Sequence, residues 1–443
     1  MADKEKIPGG SPAEMSAEEV LQKFDKESDK REMDGLWGHL ISGICILFAV
    51  FQLYTAIFGV LDAHLQRTVH LCFGLSLIYL LYPARAKWSR KAMHPADVIF
   101  ALLSVFATMY LVVEYDQLVL RAGMNTGTDI VIGLLGVVLV FEAARRTVGW
   151  PMITVALVFL AYAFAGPYMP GIMAHRGVGF DELVSHLYFT TEGIFGVPMG
   201  VSSTFIYLFI LFGAYLEATG LGKFFIDLAN ALAGWAVGGP AKVAVLSSGL
   251  MGTVSGSSVA NVAGTGSFTI PMMKKLGYRP SFAGAVEAAA STGGQLMPPV
   301  MGAAAFLMAE FVGVPYINVV KAAVIPAILY YTGIWIGVHY EARKYGLKGT
   351  PREELPKFGR LLAEKGHLAI PLIIIVYLLV TGYTPMRAAL YAIALTIVCA
   401  CLRKSTRITF KDFVNGLING SKGVLGVLIA CATAGIIIGV VTK

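Results

Sequence analysis

Gly249-Leu-Met-Gly-Thr-Val-Ser-Gly-Ser-Ser258 and Gly293-Gly-Gln-Leu-Met-Pro-Pro299 decide how this chain folds. Each lies in an apolar run, and each is too polar and too broken for an ordinary membrane span. Backbone leaves helical geometry at membrane depth only where protein or a water-filled cavity satisfies its N–H and C=O groups. Two such breaks close together predict a solute or ion site buried in the membrane. The first is expected to turn a helical hairpin with arms over 240–254 and 259–273. The second splits 281–312 into two half-helices. Lys242 flanks one end of the hairpin, and Lys274, Lys275 and Arg279 flank the other. Basic residues at both ends predict a re-entrant hairpin, entering from the cytoplasm and returning to it.

The surrounding chain fits a membrane setting. Of 443 residues, 56% are hydrophobic and 14% charged, whereas soluble domains carry about 25% charge. The apolar runs are long and continuous, which excludes a transmembrane barrel and predicts an all-α polytopic protein. Spans are expected at 37–58, 67–82, 96–114, 128–144, 151–166, 198–218, 318–339, 367–381 and 386–402, with an amphipathic interfacial helix at 222–237. The formal charge of +7 does not imply nucleic acid, because Lys and Arg gather in short loops such as Arg85, Lys87, Arg90 and Lys91. Their alternation places the N-terminus in the cytoplasm and 167–197 outside. Residues 1–35 read as a polar cytoplasmic tail without a secretory signal, with a short amphipathic helix over Ala17–Phe24. Cys45, Cys72, Cys399, Cys401 and Cys431 fall in apolar runs without metal or redox spacing and read as small core residues.

The chain also resembles itself. Phe180-Asp-Glu-Leu-Val-x-x-Leu187 parallels Phe410-Lys-Asp-Phe-Val-x-x-Leu417, and Gly193-Ile-Phe-Gly-Val197 parallels Gly423-Val-Leu-Gly-Val427, both at an offset of 230 residues. The first copy is expected outside and the second inside. Inverted repeats of this kind build many secondary transporters. A second repeat starting near 410 is truncated at Lys443, so an incomplete polypeptide is expected.

The breaks carry specific chemistry. Half-helix N-termini attract carboxylates, and half-helix C-termini with unwound carbonyls suit a hard cation such as Na⁺. Ser255, Ser257 and Ser258 add hydroxyls. Gly256, Gly293 and Gly294 permit close backbone approach, Pro298 and Pro299 stop the helix, and Asn261 and Gln295 add amides. Gly249 and Gly252 read first as packing residues. Glu287, an acid inside the broken span, is a candidate for a coupling proton or else a salt-bridged or snorkelling residue. Glu310 and Glu217 are expected near membrane surfaces, and His175 and His186 in a solvated outer loop. An intramembrane serine protease would need a base beside Ser257 or Ser258, but His39, His64, His70, His94, His339 and His367 read as span-end or loop residues. The same placement disfavours a haem subunit. No cofactor is expected, and the coupling ion stays open between Na⁺ and H⁺.

The two quoted blocks, with Ile270-Pro-Met-Met-Lys-Lys-Leu-Gly-Tyr278 between them, resemble in order and spacing the large membrane subunit of tripartite ATP-independent periplasmic (TRAP) transporters. Residues 36–148 look like the small membrane subunit fused ahead of a large one over 149–443, as in permeases associated with TAXI-type binding proteins. The resemblance implies an elevator-type secondary transporter in a bacterial or archaeal cytoplasmic (inner) membrane. An ion gradient would drive uptake of an organic anion, a carboxylate, delivered by a periplasmic protein. It places Ser255, Gly256, Ser257, Ser258 and Asn261 at a hairpin tip and Gly293, Gly294, Gln295 and Pro298 in the facing break. The alternative is a divalent-anion/sodium type symporter that needs no binding protein.

Overall fold

Length and apolar character give eight helices able to cross a membrane among the described residues, and no strand lies among them. The computed structural model describes residues 30–31, 33–85, 88, 90, 92–403 and 406–443. The tail helix expected over Ala17–Phe24 lies outside that set.

An N-terminal block comprises α1 (Gly35–Phe58), α2 (Ala63–Leu81), α3 (Pro95–Val113), the short α4 (Tyr115–Leu120) and α5 (Gly127–Thr147). Local chemistry sets the starts. Pro95 fills the first turn of α3, where the His94 ring accepts a hydrogen bond from the Ala96 N–H. Thr126 and Asp129 form a reciprocal capping box on α5. The block is apolar outside, with Leu102, Phe106 and Val113 exposed, and polar within. Asp97 accepts from Arg31 at 2.6 Å and from Arg146 at 2.7 Å, all three side chains being fully buried. The Arg146 guanidinium also lies over the rings of Tyr79 and Phe100. This cluster ties the residues before α1 to α3 and α5.

α2 turns a polar face inward, with Gln66, Thr68 and His70 buried. His70, expected near a span end, stands mid-helix, bracketed by Gln52 at 2.6 Å and Ser202 at 3.0 Å. Gln66 donates to the Ser203 carbonyl at 3.1 Å.

Beyond the block run α6 (Trp150–Ala165), α7 (Phe180–Phe189), α8 (Val197–Ala218) and α9 (Leu221–Ala233). Ser202 and Ser203 open a π-helical segment of α8, so the polar seam from α2 meets the backbone where its hydrogen bonding is irregular. The hairpin is α10 (Gly239–Ser255) and α11 (Ser258–Lys275), and the interrupted helix is α12 (Pro280–Thr292) and α13 (Ala303–Val312). Then follow α14 (Tyr316–Lys344), α15 (Phe358–Lys365), α16 (Ile370–Val380), α17 (Pro385–Cys401), α18 (Phe410–Gly423) and α19 (Leu425–Val441).

The two similar stretches become similar structures: α7 leads into α8 as α18 leads into α19. Their packing is reciprocal. Gly416 and Gly420 of α18 fit against Tyr215 and Leu211 of α8, while Gly435 and Gly439 of α19 fit against Gly193 and Leu187 at the end of α7. Among the described residues, buried apolar side chains form two clusters. The larger joins the N-terminal block, α8, α19 and the hairpin tip. The smaller joins the hairpin base to α12 and α14 through Ala244, Met273, Val286 and Val338.

Lys242 stands at the start of the hairpin as expected, buried in the first turn of α10, 3.2 Å from His339 and over the Trp335 ring. One expectation is corrected here. Cys401 is exposed and Cys72 half-buried, and only Cys45, Cys399 and Cys431 are core residues.

Candidate binding site

Both expected interruptions are present. α10 ends because Gly256 takes φ +59°, a left-handed conformation natural to glycine. Ser257 restarts the chain as the N-cap of α11, its hydroxyl accepting from the Ala260 N–H at 3.3 Å. The Ser258 hydroxyl beside it is buried with no hydrogen-bond partner among the described residues. α12 stops at Thr292, Gly293–Leu296 forms one 3-10 turn, and the chain stays non-helical to Gly302. The Gly302 N–H donates to the Gln295 carbonyl at 2.9 Å, closing the break into a loop. Met301, buried in that loop, has φ +57°, and a non-glycine residue there stores about 1–3 kcal/mol.

The two breaks touch. A Cβ on Gly252 would stand 2.3 Å from the Gly294 Cα, and one on Gly256 would stand 2.2 Å from the Met301 carbonyl oxygen. Gly249 lies against the Tyr331 ring. Gly252 and Gly249 therefore do packing work that lets hairpin and break meet.

α14 holds the break from behind. The Tyr330 and Tyr331 hydroxyls donate to the Ala289 and Ala290 carbonyls at 2.8 and 2.9 Å, occupying the last turn of α12. The Tyr316 hydroxyl reaches the Val300 and Pro299 carbonyls at 2.6 and 2.9 Å. Gly293 is needed because its missing side chain makes room for the rings of Tyr330 and Tyr331. None of these tyrosines was anticipated, although Tyr316 lies about four helical turns before the Tyr330–Tyr331 pair on α14.

On the other side the breaks border a cavity of about 1000 Å³. Ser255, Gly256, Ser257 and Gln295 line it, with Met301 and Gly302. Ser258, Asn261, Gly293, Gly294 and Pro298 do not. Asn261 is fully buried and donates to the Ser248 carbonyl at 2.8 Å, bracing the hairpin rather than facing the cavity. The first turns of α11 and α13 both border the space. Their N–H groups have no partners within their own helices, so positive partial charge faces the cavity from two directions. Elsewhere the wall is mostly apolar, with Asn318 and Asn419 as further amides. Lys30 and Glu217 bring charges of both signs, Lys30 while donating to the Lys422 carbonyl at 3.1 Å. Glu217 was expected near a membrane surface and Lys30 in the tail. Their approach depends on tertiary packing that neither local pattern encodes.

Glu287 stands apart from the cavity. It is fully buried, and four hydroxyls surround its carboxyl: Ser248 at 2.9 Å, Ser291 at 3.1 Å, Thr265 and Thr269. It has no basic partner among the described residues, so neither the salt-bridged nor the snorkelling alternative describes it. No group of His, Cys, Asp and Glu suited to a metal ion occurs among the described residues. His175 is not a freely solvated residue either. Its ring bonds the Tyr162 carbonyl at 3.1 Å and packs on Gly166, pinning the segment after α6.

An all-helical, polytopic protein with two interrupted segments meeting at a cavity has the form of a membrane permease. Comparison with known proteins gives the family. Residues 135–443 match the family model for the tripartite ATP-independent periplasmic transporter, DctM component. The chain is 32% identical over 186 residues to the C4-dicarboxylate TRAP transporter large permease protein DctM of Pseudomonas aeruginosa, covering 42% of this chain and 43% of that protein. It is 27% identical over 192 residues to the sialic acid TRAP transporter large permease protein SiaM of Vibrio cholerae, covering 42% and 44%. It is 28% identical over 195 residues to the isethionate TRAP transporter permease protein DctMQ of Oleidesulfovibrio alaskensis, covering 44% and 30%. The chain spans about half the length, or less, of the curated relatives it matches. It belongs to the DctM-component family of TRAP transporters, a family of transporter permeases and not of enzymes.

Proposed function

We propose that this chain is the membrane permease component of a TRAP-type secondary transporter that takes up organic anions, specifically carboxylates. A periplasmic solute-binding protein of the TAXI type delivers the anion, and a gradient of Na⁺ or H⁺ drives uptake across a bacterial or archaeal inner membrane. The observation that carries this is the meeting of the two breaks at one cavity. Two helix N-termini, the Ser255 and Ser257 hydroxyls and the Gln295 amide converge there on a space sized for a small molecule. Relatives named for C4-dicarboxylates and sialic acid point to carboxylate cargo. The second, separate core at the hairpin base favours an elevator-type movement of hairpin, α12 and α14 against the rest. The reciprocal packing of α7–α8 with α18–α19 favours the inverted repeat. In this proposal α1–α5 form a fused small subunit, the N-terminus is cytoplasmic and α10–α11 are re-entrant.

Cysteines at Ser257 and Gln295 in the purified chain test the site through their rate of labelling by a water-soluble thiol reagent. Succinate and other carboxylates should slow both reactions at least several-fold, while an uncharged polyol should not. Labelling indifferent to every carboxylate rejects the anion site. Uptake into vesicles with and without the binding protein then separates this proposal from a symporter that needs none.

A further inference from the structure

The Glu287 cage belongs neither to the cavity wall nor to any ion pair among the described residues. Its parts come from three elements: Ser248 from α10, Thr265 and Thr269 from α11, and Glu287 and Ser291 from α12. Thr265 and Thr269 stand one turn apart on α11, as Glu287 and Ser291 do on α12, so two helix faces are matched across the contact. Gly266 makes the approach possible, since a Cβ there would lie 3.0 Å from the Glu287 Cγ.

Proton counting shows what such a cage can do. Each hydroxyl has one proton to donate and can also accept. Thr265 can donate to the Asn261 carbonyl at 2.8 Å or to Glu287, and Thr269 to the Thr265 carbonyl at 3.1 Å or to Glu287. With Glu287 ionised, the hydroxyls turn toward the carboxylate and solvate it. With Glu287 protonated, its O–H donates to the Thr269 oxygen, and Thr269 and Thr265 turn back to the carbonyls of their own helix. Both protonation states are fully hydrogen-bonded, so a proton can be gained or lost without leaving a buried orphan.

The cage connects to the tip. Thr265 bonds Asn261, Asn261 braces the Ser248 carbonyl, and the Asn261 amide lies against Gly294, which packs on Gly252. The titratable groups facing Glu287 are few. From α14 comes Tyr331, whose hydroxyl is engaged by the Ala290 carbonyl. From α10, Lys242 lies nearly two turns from Ser248 and is paired with His339. From α11, Lys274 and Lys275 are exposed at the far end. The turn after α12 (Gly293–Leu296) carries no titratable side chain.

We infer that the Glu287 cage is a proton-binding site whose occupancy sets the packing of the hairpin tip, and that the coupling proton is held there, apart from the anion. The role in transport rests on the permease proposal, while the proton binding does not. Infrared difference spectra of the purified full chain, recorded between alkaline and acidic pH in sodium-free buffer, test it. A buried carboxylic C=O band should appear on acidification, vanish in E287Q and persist in E310Q. In T269V the band should persist at a changed frequency, because the acid has lost its hydrogen-bond acceptor. Protection from hydrogen exchange at 252–257, taken relative to the intrinsic exchange rate at each pH, should depend on pH in the native chain and not in E287Q. An unchanged band in E287Q overturns the proposal, as does a band governed by added sodium at constant pH. Carboxylate protection of the Ser257 cysteine together with a spectrum insensitive to E287Q refutes the proton site alone. A titrating band without any carboxylate protection refutes the permease site and leaves the proton site standing.

Discussion

Gly252 and Gly264 differ in what surrounds them, and that difference decides what a methyl group does at each. At Gly252 the added carbon would press on the Gly294 backbone at 2.3 Å, whereas at Gly264 it would meet only the Met251 methyl at 3.8 Å. Gly252→Ala should therefore separate hairpin from break and cost about 1–3 kcal/mol. Gly264→Ala should be neutral or stabilise α11 by up to ~1 kcal/mol. Thermal unfolding in detergent checks both, and equal effects would contradict the described contact. At this scale the glycines and prolines of the breaks were legible, because their backbone requirements are local. The role of Asn261 was not: its amide is spent on a carbonyl 13 residues away, a partner that only the folded hairpin supplies.

Among the elements, α14 carries more than its apolar composition suggests. Two tyrosine hydroxyls cap the end of α12 and a third holds the loop after it. Tyr330→Phe and Tyr331→Phe each leave a carbonyl short of a donor and should cost about 1 kcal/mol. Faster amide exchange in the last turn of α12, with α10 unaffected, is the expected signature. The limits of most helices were readable from apolar run length, caps and prolines. The capping by α14 was not, since no pattern within one helix states which carbonyls of another lie opposite. Topology of the hairpin can also be tested at this scale. Lys242 is buried, so cysteines at the exposed Trp235 and Lys275 should be used, and both should label from the same face of the membrane. Labelling from opposite faces removes re-entrance.

Across the whole molecule, charge is handled in two ways. Glu182 meets Lys443 and Arg176 at the surface, where screening leaves little energy. Asp97 is shared by two buried guanidiniums. Asp97→Asn should destabilise the N-terminal block by about 3–5 kcal/mol, because it takes the carboxylate from the buried Arg31 and leaves Arg146 with Glu142 alone, while Glu182→Gln should leave unfolding unchanged. A native-like melting curve for D97N would show that water reaches the cluster. The apolar runs that become α1, α2, α3 and α5 were visible in the sequence. The joining of α1 and α2 to α8 through Gln52, His70 and Ser202 was hidden, because a histidine in an apolar run does not announce its partners.

The bond from Arg31 to Asp97 has a bearing on biosynthesis. Arg31 leaves the ribosome long before Asp97, and Arg146 later still, so the first guanidinium must stay hydrated while two further helices are made. The clasp can close only when the fifth helix arrives. Completion of the amino-terminal bundle is thus a timed event, and a pause in translation between residues 97 and 146 would leave it held by a single arm.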